Sequence, residues 1–398
     1  MEERGVRDAE VSGSSPLSPT NPFSMLKASA ILVGTTIGAG IFAIPYAVAQ
    51  IGLIPGIFYL LGLGAVVLLL NLIYGEVILR TAGDHQLTGY SQIYLGKGGQ
   101  RLASLALFIG LYGALLAYLI KIGEFLALIF NFPFPLELSL VFFFFAVTVI
   151  FLGLKIVSQL ELVLVSILLI FILFIACLGF PHIALSNFQF SVLNFKFLFL
   201  PYGVILFALT GSAAVPEMEE VLRSDNRDKA KKLKKALILG SLIPLLAYLL
   251  FAIIIVGISG RQTSDDAISG LALFLPKWIV NLGAGLGILT MATSFLSLGY
   301  VLSEVWFRDF KLPRPAALIL ACSPPLVFFL TGARNFISVL EISGALTGSL
   351  SGILIILLHR KAQKIGRKQP AYHLKLPIAI YWLLIIIFCL GIFSPLLT

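Results

Sequence analysis

The chain has 398 residues, of which 59% are hydrophobic and only 12% charged, and its mean hydropathy of +1.02 excludes a soluble globule with a polar surface. The formal net charge of +9 resides in Lys/Arg clusters that flank apolar runs and lack interleaved aromatics, which argues against nucleic-acid binding. Composition therefore defines an integral membrane protein. Runs that are apolar on every face, such as SILLIFILFIACLGF, require helices rather than a barrel of alternating strands.

Residues 1–26 are polar and rich in Ser and Pro, without the basic region and apolar core of a signal peptide, and are expected to form a disordered cytoplasmic tail. A spanning helix needs roughly 20 apolar residues. Eleven such runs follow the tail. They lie at 27–50, 54–79, 101–130, 136–153 and 156–180, then at 197–218, 233–258, 279–305, 315–332, 336–358 and 375–396. Cys177, Cys322 and Cys389 all fall inside spans, show no metal-ligand spacing and are expected to serve packing rather than a disulfide or a metal site.

Alternate connections differ sharply in charge. With the amino terminus inside, the inner connections carry the basic clusters at Arg223 to Lys235, Arg308 to Arg314 and Arg360 to Lys375. The outer loops hold only Lys196, Arg261, Lys277 and Arg334. This bias predicts a multi-pass protein of the cell inner or plasma membrane, with the amino terminus cytoplasmic and the carboxyl terminus external.

Span one contains VGTTIGAGIFAIPYA, where Gly34, Gly38 and Gly40 each weaken a helix by roughly 1 kcal/mol relative to Ala and Pro45 removes a backbone donor. Gly34 and Gly38 alone would suit a GxxxG packing face. Gly40 falls off that face, and Thr35 and Thr36 add hydroxyls beside it, so an unwound segment exposing backbone groups to a polar solute explains the whole stretch. A transporter of inverted repeats should carry a second interrupted span. Span six, PYGVILFALTGSAAVPEMEE, has Thr210, Gly211 and Ser212 mid-span with Pro216 after them, and runs the opposite way. The expected organisation is one transporter domain at 27–398, with inverted repeats at 27–180 and 197–358 and an added eleventh helix at 375–396.

GTTIGAGIFAIPYAVAQIG in span one, KALILGSLIPLLAYLLFAIIIVGISG in span seven and TSFLSLGYVLSEVWFRDF in span eight resemble the hydroxy and aromatic amino acid permeases. So do SPPLVFFL and ISGALTGSLSGILIILLH in spans nine and ten. These permeases are the tryptophan and tyrosine group of the amino acid–polyamine–organocation superfamily. The resemblance implies an all-α LeuT-like fold of 5+5 inverted repeats with helices one and six discontinuous, and an amino acid substrate held between them. It also implies that the N–H groups of Gly38, Ala39 and Gly40 take the substrate carboxylate, aided by a half-helix dipole. The carbonyls of Thr36, Phe207 and Thr210 would take the ammonium, Gly211 and Ser212 would line the side-chain pocket, and Tyr118 would flank it. FALTGSAAVPEM departs from the family in lacking its Phe-His type of sequence, so the implied substrate is an amino acid, aromatic or otherwise neutral.

No cofactor is expected, but a coupling ion is, sodium or proton. For sodium, Thr293 and Ser294, with Thr290 nearby, resemble a hydroxyl pair that binds the ion together with carbonyls equivalent to those of Gly34 and Ile37, a set of oxygens suited to a hard cation. The alternative for these hydroxyls is a bond to the carbonyl one turn back. For a proton, Glu124 and Glu161 are the candidate carriers, although Lys121 and Glu124 at i and i+3 would neutralise each other. The expected function is ion-coupled symport of amino acids by alternating access, with membrane lipid as the other partner and the oligomeric state unspecified. A polyamine permease of the same fold would want carboxylates near the breaks, and TTIGAGIF and FALTGSAA have none. A non-transporting amino acid sensor is a further alternative. An enzyme is disfavoured, because no span carries HExxH, GxSxG or paired aspartates.

Overall fold

The computed structural model describes residues 24–152, 158–188, 197–222, 229–308, 310–366, 368, 370 and 372–397. The predicted tail before Ser24 and the basic positions Lys155, Lys196, Arg223, Arg227 and Arg367 lie outside them.

The described residues form helices throughout. Span one is two helices, α1 (Ser24–Thr36) and α2 (Gly40–Ile51), bent by 61° at the break between them. Then come α3 (Leu53–Arg80), α4 (Leu87–Phe130), α5 (Pro135–Phe151) and α6 (Ser158–Gly179). Span six is again two helices, α7 (Leu200–Leu209) and α8 (Val215–Leu222). The remainder are α9 (Lys229–Ser259), α10 (Lys277–Arg308), α11 (Arg314–Leu330), α12 (Phe336–Ile365) and α13 (Ile378–Ile392). Each of the eleven apolar runs thus has a helix or a broken pair. Those of α5 and α11, at 17 residues each, are short for a bilayer core that takes roughly 20.

Span three differs from its sequence reading. The helix begins at Leu87 rather than near residue 101, with a sharp change of direction at Gly96, whose φ of 72° favours a residue without a Cβ. The segment before Gly96 is held by Tyr90, whose ring meets Tyr74 edge-on, and by Tyr94, whose hydroxyl lies 2.9 Å from that of Thr81.

The two broken spans form the centre. α1 packs on α8 and α2 on α7, so the halves meet crosswise, as two chains running in opposite directions must. α9 covers α1, α2 and α3, while α12 packs against α3, α4, α7 and α13. Phe58, Phe144, Phe145 and Ile170 are among the large apolar residues left outside, where lipid rather than water is the compatible solvent. Cys322 is buried in α11, whereas Cys177 and Cys389 are exposed on α6 and α13, so only one of the three packs inside the protein.

Candidate functional site

The helix of α1 makes its last backbone bond from Ile37 N–H to the Val33 carbonyl, 2.9 Å, and bonding resumes with Ile41 to Gly38 and Phe42 to Ala39. Between them, among the described residues, the N–H groups of Gly38 and Ala39 donate to no backbone carbonyl, and the carbonyls of Gly34 and Ile37 accept from no backbone N–H. These are the orphan groups of a helix end brought inside the protein. A Cβ added at Gly38 would stand 3.4 Å from the Tyr118 hydroxyl, which puts that hydroxyl of α4 beside the break.

Gly40 has a packing task. A Cβ there would come within 2.6 Å of both Cα and Cβ of Ala208, so α2 reaches α7 only because position 40 is glycine. Thr35 and Thr36 separate in role: Thr35 Oγ1 donates to the Ile31 carbonyl at 2.9 Å and recaps its own helix, whereas the Thr36 hydroxyl lies against Gly211.

At the second break, Thr210 turns extended (ψ 109°) and its N–H bifurcates to the carbonyls of Leu206 at 3.0 Å and Phe207 at 3.4 Å. Its hydroxyl caps Leu206 as well, at 2.6 Å. Gly211 follows, then a short tight turn at Ser212–Ala214 leads into α8, where Pro216 sits in the first turn and its missing N–H costs least. The two breaks are tied together by a residue that the sequence did not single out. Tyr248 of α9, fully buried, donates its hydroxyl proton to the Thr36 carbonyl at 2.8 Å and to the Ala208 carbonyl at 3.0 Å. The carbonyl facing that of Thr36 across this bridge is therefore that of Ala208. Each carbonyl keeps a lone pair for a further donor.

Beside the second break, α3 and α12 enclose a cleft of about 20 Å³, room for one water. Thr210, Gly211, Ser212, Asn71 and Ser351 give it a polar lining. Asn71 donates to the Ser241 hydroxyl at 3.1 Å, while its Oδ1 is buried without a hydrogen-bond partner.

The ion candidates are arranged less compactly. Thr290 Oγ1 donates to the carbonyls of Leu286 and Gly287, and Thr293 Oγ1 to those of Leu289 and Thr290, at 2.9–3.1 Å. These bonds fix the hydroxyl protons and leave lone pairs outward. α10, which carries both threonines and Ser294, packs mainly on α4 and α11 rather than on α1. Glu124 pairs with the fully buried Lys121, and the same ammonium lies 3.3 Å from Asp265 and over the Phe336 ring. The aspartate comes from the loop between α9 and α10, a partner that local sequence spacing does not reveal. Glu161 lies on α6, and its side chain is outside the described residues.

Two solved transporter structures share this architecture. The chain superposes on MhsT, solved in complex with L-phenylalanine, with a TM-score of 0.65, 15% identity and coverage of 94% of this chain and 98% of that one. It superposes on Mhp1, a nucleobase-cation-symport-1 family transporter, with a TM-score of 0.62 and 13% identity over 96% and 91% of the two chains. Fold and paired breaks together define a multi-pass helical membrane protein of the LeuT-like fold. The profile of the tryptophan/tyrosine permease family matches residues 22–396, and the chain belongs to that family, one of transporters rather than enzymes. Among its relatives are the tyrosine-specific transport system 1 of Haemophilus influenzae, 26% identical over 85% of this chain and 88% of that protein, and the glutamine transporter 2 of Aliivibrio fischeri, 26% identical over 59% and 61%.

Proposed function

We propose that the protein is a secondary active transporter of amino acids, working as an ion-coupled symporter by alternating access around the two breaks. The observation that carries this reading is the junction itself. The break of span one leaves the Gly38 and Ala39 N–H groups outside the backbone bonds among the described residues, and Tyr248 ties the Thr36 carbonyl to that of Ala208 in span six, an arrangement that would give a carboxylate and an ammonium separate partners. No side-chain charge occupies either break, a neutral setting that suits a zwitterion better than a polyamine. Relatives named for tyrosine and glutamine support an amino acid, and a neutral one. Spans one to five and six to ten are read as inverted repeats, supported by the crosswise packing of α1 on α8 and α2 on α7. The basic connections are read as cytoplasmic, which puts the carboxyl terminus outside.

Gly38→Ala is the sharpest variant for this site. Its Cβ meets Tyr118 at ordinary contact distance, so the fold accommodates it, yet a methyl then covers the free donors. The test is uptake of a mixed amino acid pool into proteoliposomes under separately imposed sodium and proton gradients. The expected result is concentrative uptake of neutral amino acids under one of the two gradients, lost in Gly38→Ala. Uptake of organic cations in preference to amino acids, or unchanged uptake by the variant, would sink the proposal.

A further inference from the structure

Glu76, fully buried near the end of α3, is met from several directions. Arg80 Nη2 at 2.8 Å, Arg80 Nε at 2.9 Å and His373 Nδ1 at 2.9 Å face its Oε1. The Leu374 N–H at 2.7 Å and His359 Nε2 at 3.0 Å face its Oε2. His359, also fully buried on α12, has its Nδ1 2.9 Å from the Tyr381 hydroxyl of α13. One neutral tautomer satisfies this chain: Tyr381 O–H donates to Nδ1, and Nε2–H donates to the carboxylate. Gln363 lies 3.4 Å from His359, Tyr372 donates to the Leu72 carbonyl at 2.8 Å, and the Arg360 guanidinium stands over the Tyr381 ring.

His373 makes the cluster responsive. Its Nδ1 lies 2.9 Å from Glu76 and also 2.8 Å from Arg80 Nη2, and one nitrogen cannot serve both. Carrying a proton, it donates to the carboxylate and repels the guanidinium. Without a proton there, it accepts from Arg80 and turns a lone pair toward the carboxylate. At 42% exposure, the His373 side chain is open to water and can exchange a proton with it.

The cluster also has a route to the transport site. α3 and α12 wall the cleft beside Thr210 and Ser212 through Asn71 and Ile355 among others, and Glu76 and His359 follow those two residues by five and four positions. At a rise of about 1.5 Å per residue, each lies within about 8 Å along its helix. An anchor alone would be met by neutral or apolar groups without the desolvation of a buried charge.

We propose that Glu76, His359 and His373 form a proton-binding site fed from the aqueous face of the basic connections, and that its occupancy sets the α3–α12 spacing at the cleft. The transport effect rests on the proposed function, whereas proton binding does not. The experiment has two arms on the full chain in lipid. Histidine ring nitrogens are followed by nitrogen-15 NMR in nanodiscs, and uptake of radiolabelled tyrosine into proteoliposomes is measured with the pH of the basic face varied. Proton occupancy of the His373 ring is expected to change in step with uptake as that pH is varied, and wild-type uptake to change at least about threefold. His373→Gln, at a half-exposed position, should flatten the uptake profile, and His359→Gln should alter the proton occupancy of His373 at a given pH. A His373 ring whose proton occupancy stays constant while uptake changes, or a wild-type pH profile in His373→Gln, would overturn the proposal. If the wild type carries no tyrosine at any pH, the substrate reading fails for that amino acid while the NMR arm still decides the proton site.

Discussion

At two of the places where polar groups enter the apolar interior, they do so by opposite means. At the breaks of spans one and six the groups are backbone amides and neutral hydroxyls, and the junction is closed by one tyrosine proton shared between two carbonyls. At the C-terminal end of α3 they are ionisable side chains from two helices and a connection, converging on one carboxylate. The first arrangement leaves donors and acceptors available to a solute without placing a charge in the site. The second satisfies a charge fully and so holds helices in place, with one imidazole left to choose between partners. A neutral, partly unsatisfied site is suited to binding and release, and a charged, satisfied one to control.

Substitutions can break or sharpen that contrast. The largest effect is expected from Gly40→Val, whose side chain would overlap Ala208; overpacking of about 1–3 kcal/mol should separate α2 from α7 and abolish uptake, with a lowered melting temperature in detergent. Tyr248→Phe keeps the ring and deletes the bridge, leaving two buried carbonyls short of a donor at a cost of roughly 1–3 kcal/mol. A rise in KM of about tenfold with expression maintained is the expected reading, and an unchanged KM would show that the bridge does not shape the site. Glu124→Gln should alter uptake by no more than about twofold, because its carboxylate is partly exposed and Lys121 keeps Asp265 as a partner. Loss of proton-driven uptake in that variant would instead make Glu124 a carrier. Thr35→Val removes only a hydroxyl that recaps its own helix and should change stability by less than about 0.5 kcal/mol, with uptake intact.

The contrast also explains what could be read from the sequence. Breaks are written locally: Gly38 and Gly40 in one span and Thr210 to Pro216 in the other announce themselves because a plain spanning helix would avoid them. The eleven runs were equally legible, since apolar length is a property of contiguous residues. Side-chain convergence is not local. Glu76 and His359 are 283 positions apart by their numbering, and His359 reads in sequence as part of a basic connection, whereas α12 carries it into the core. Tyr248 was hidden for the same reason, as one aromatic in an apolar run whose hydroxyl meets residues 212 and 40 positions away. The helix before Gly96 was missed because its signal, Tyr90 and Tyr94 one turn apart, lies in a stretch otherwise polar enough to read as a loop.

The central claim is that a zwitterion is held between the two breaks, its carboxylate on the donors of span one. The most direct test is equilibrium binding to the purified protein of an amino acid carried in the uptake assay, its decarboxylated amine and its deaminated acid, compared between wild type and Gly38→Ala. Wild type should bind the amino acid at least about tenfold more tightly than either analogue, a difference of roughly 1.4 kcal/mol, and Gly38→Ala should lose the preference over the amine. Equal binding of amine and amino acid by wild type, or an unchanged preference in the variant, would contradict the account.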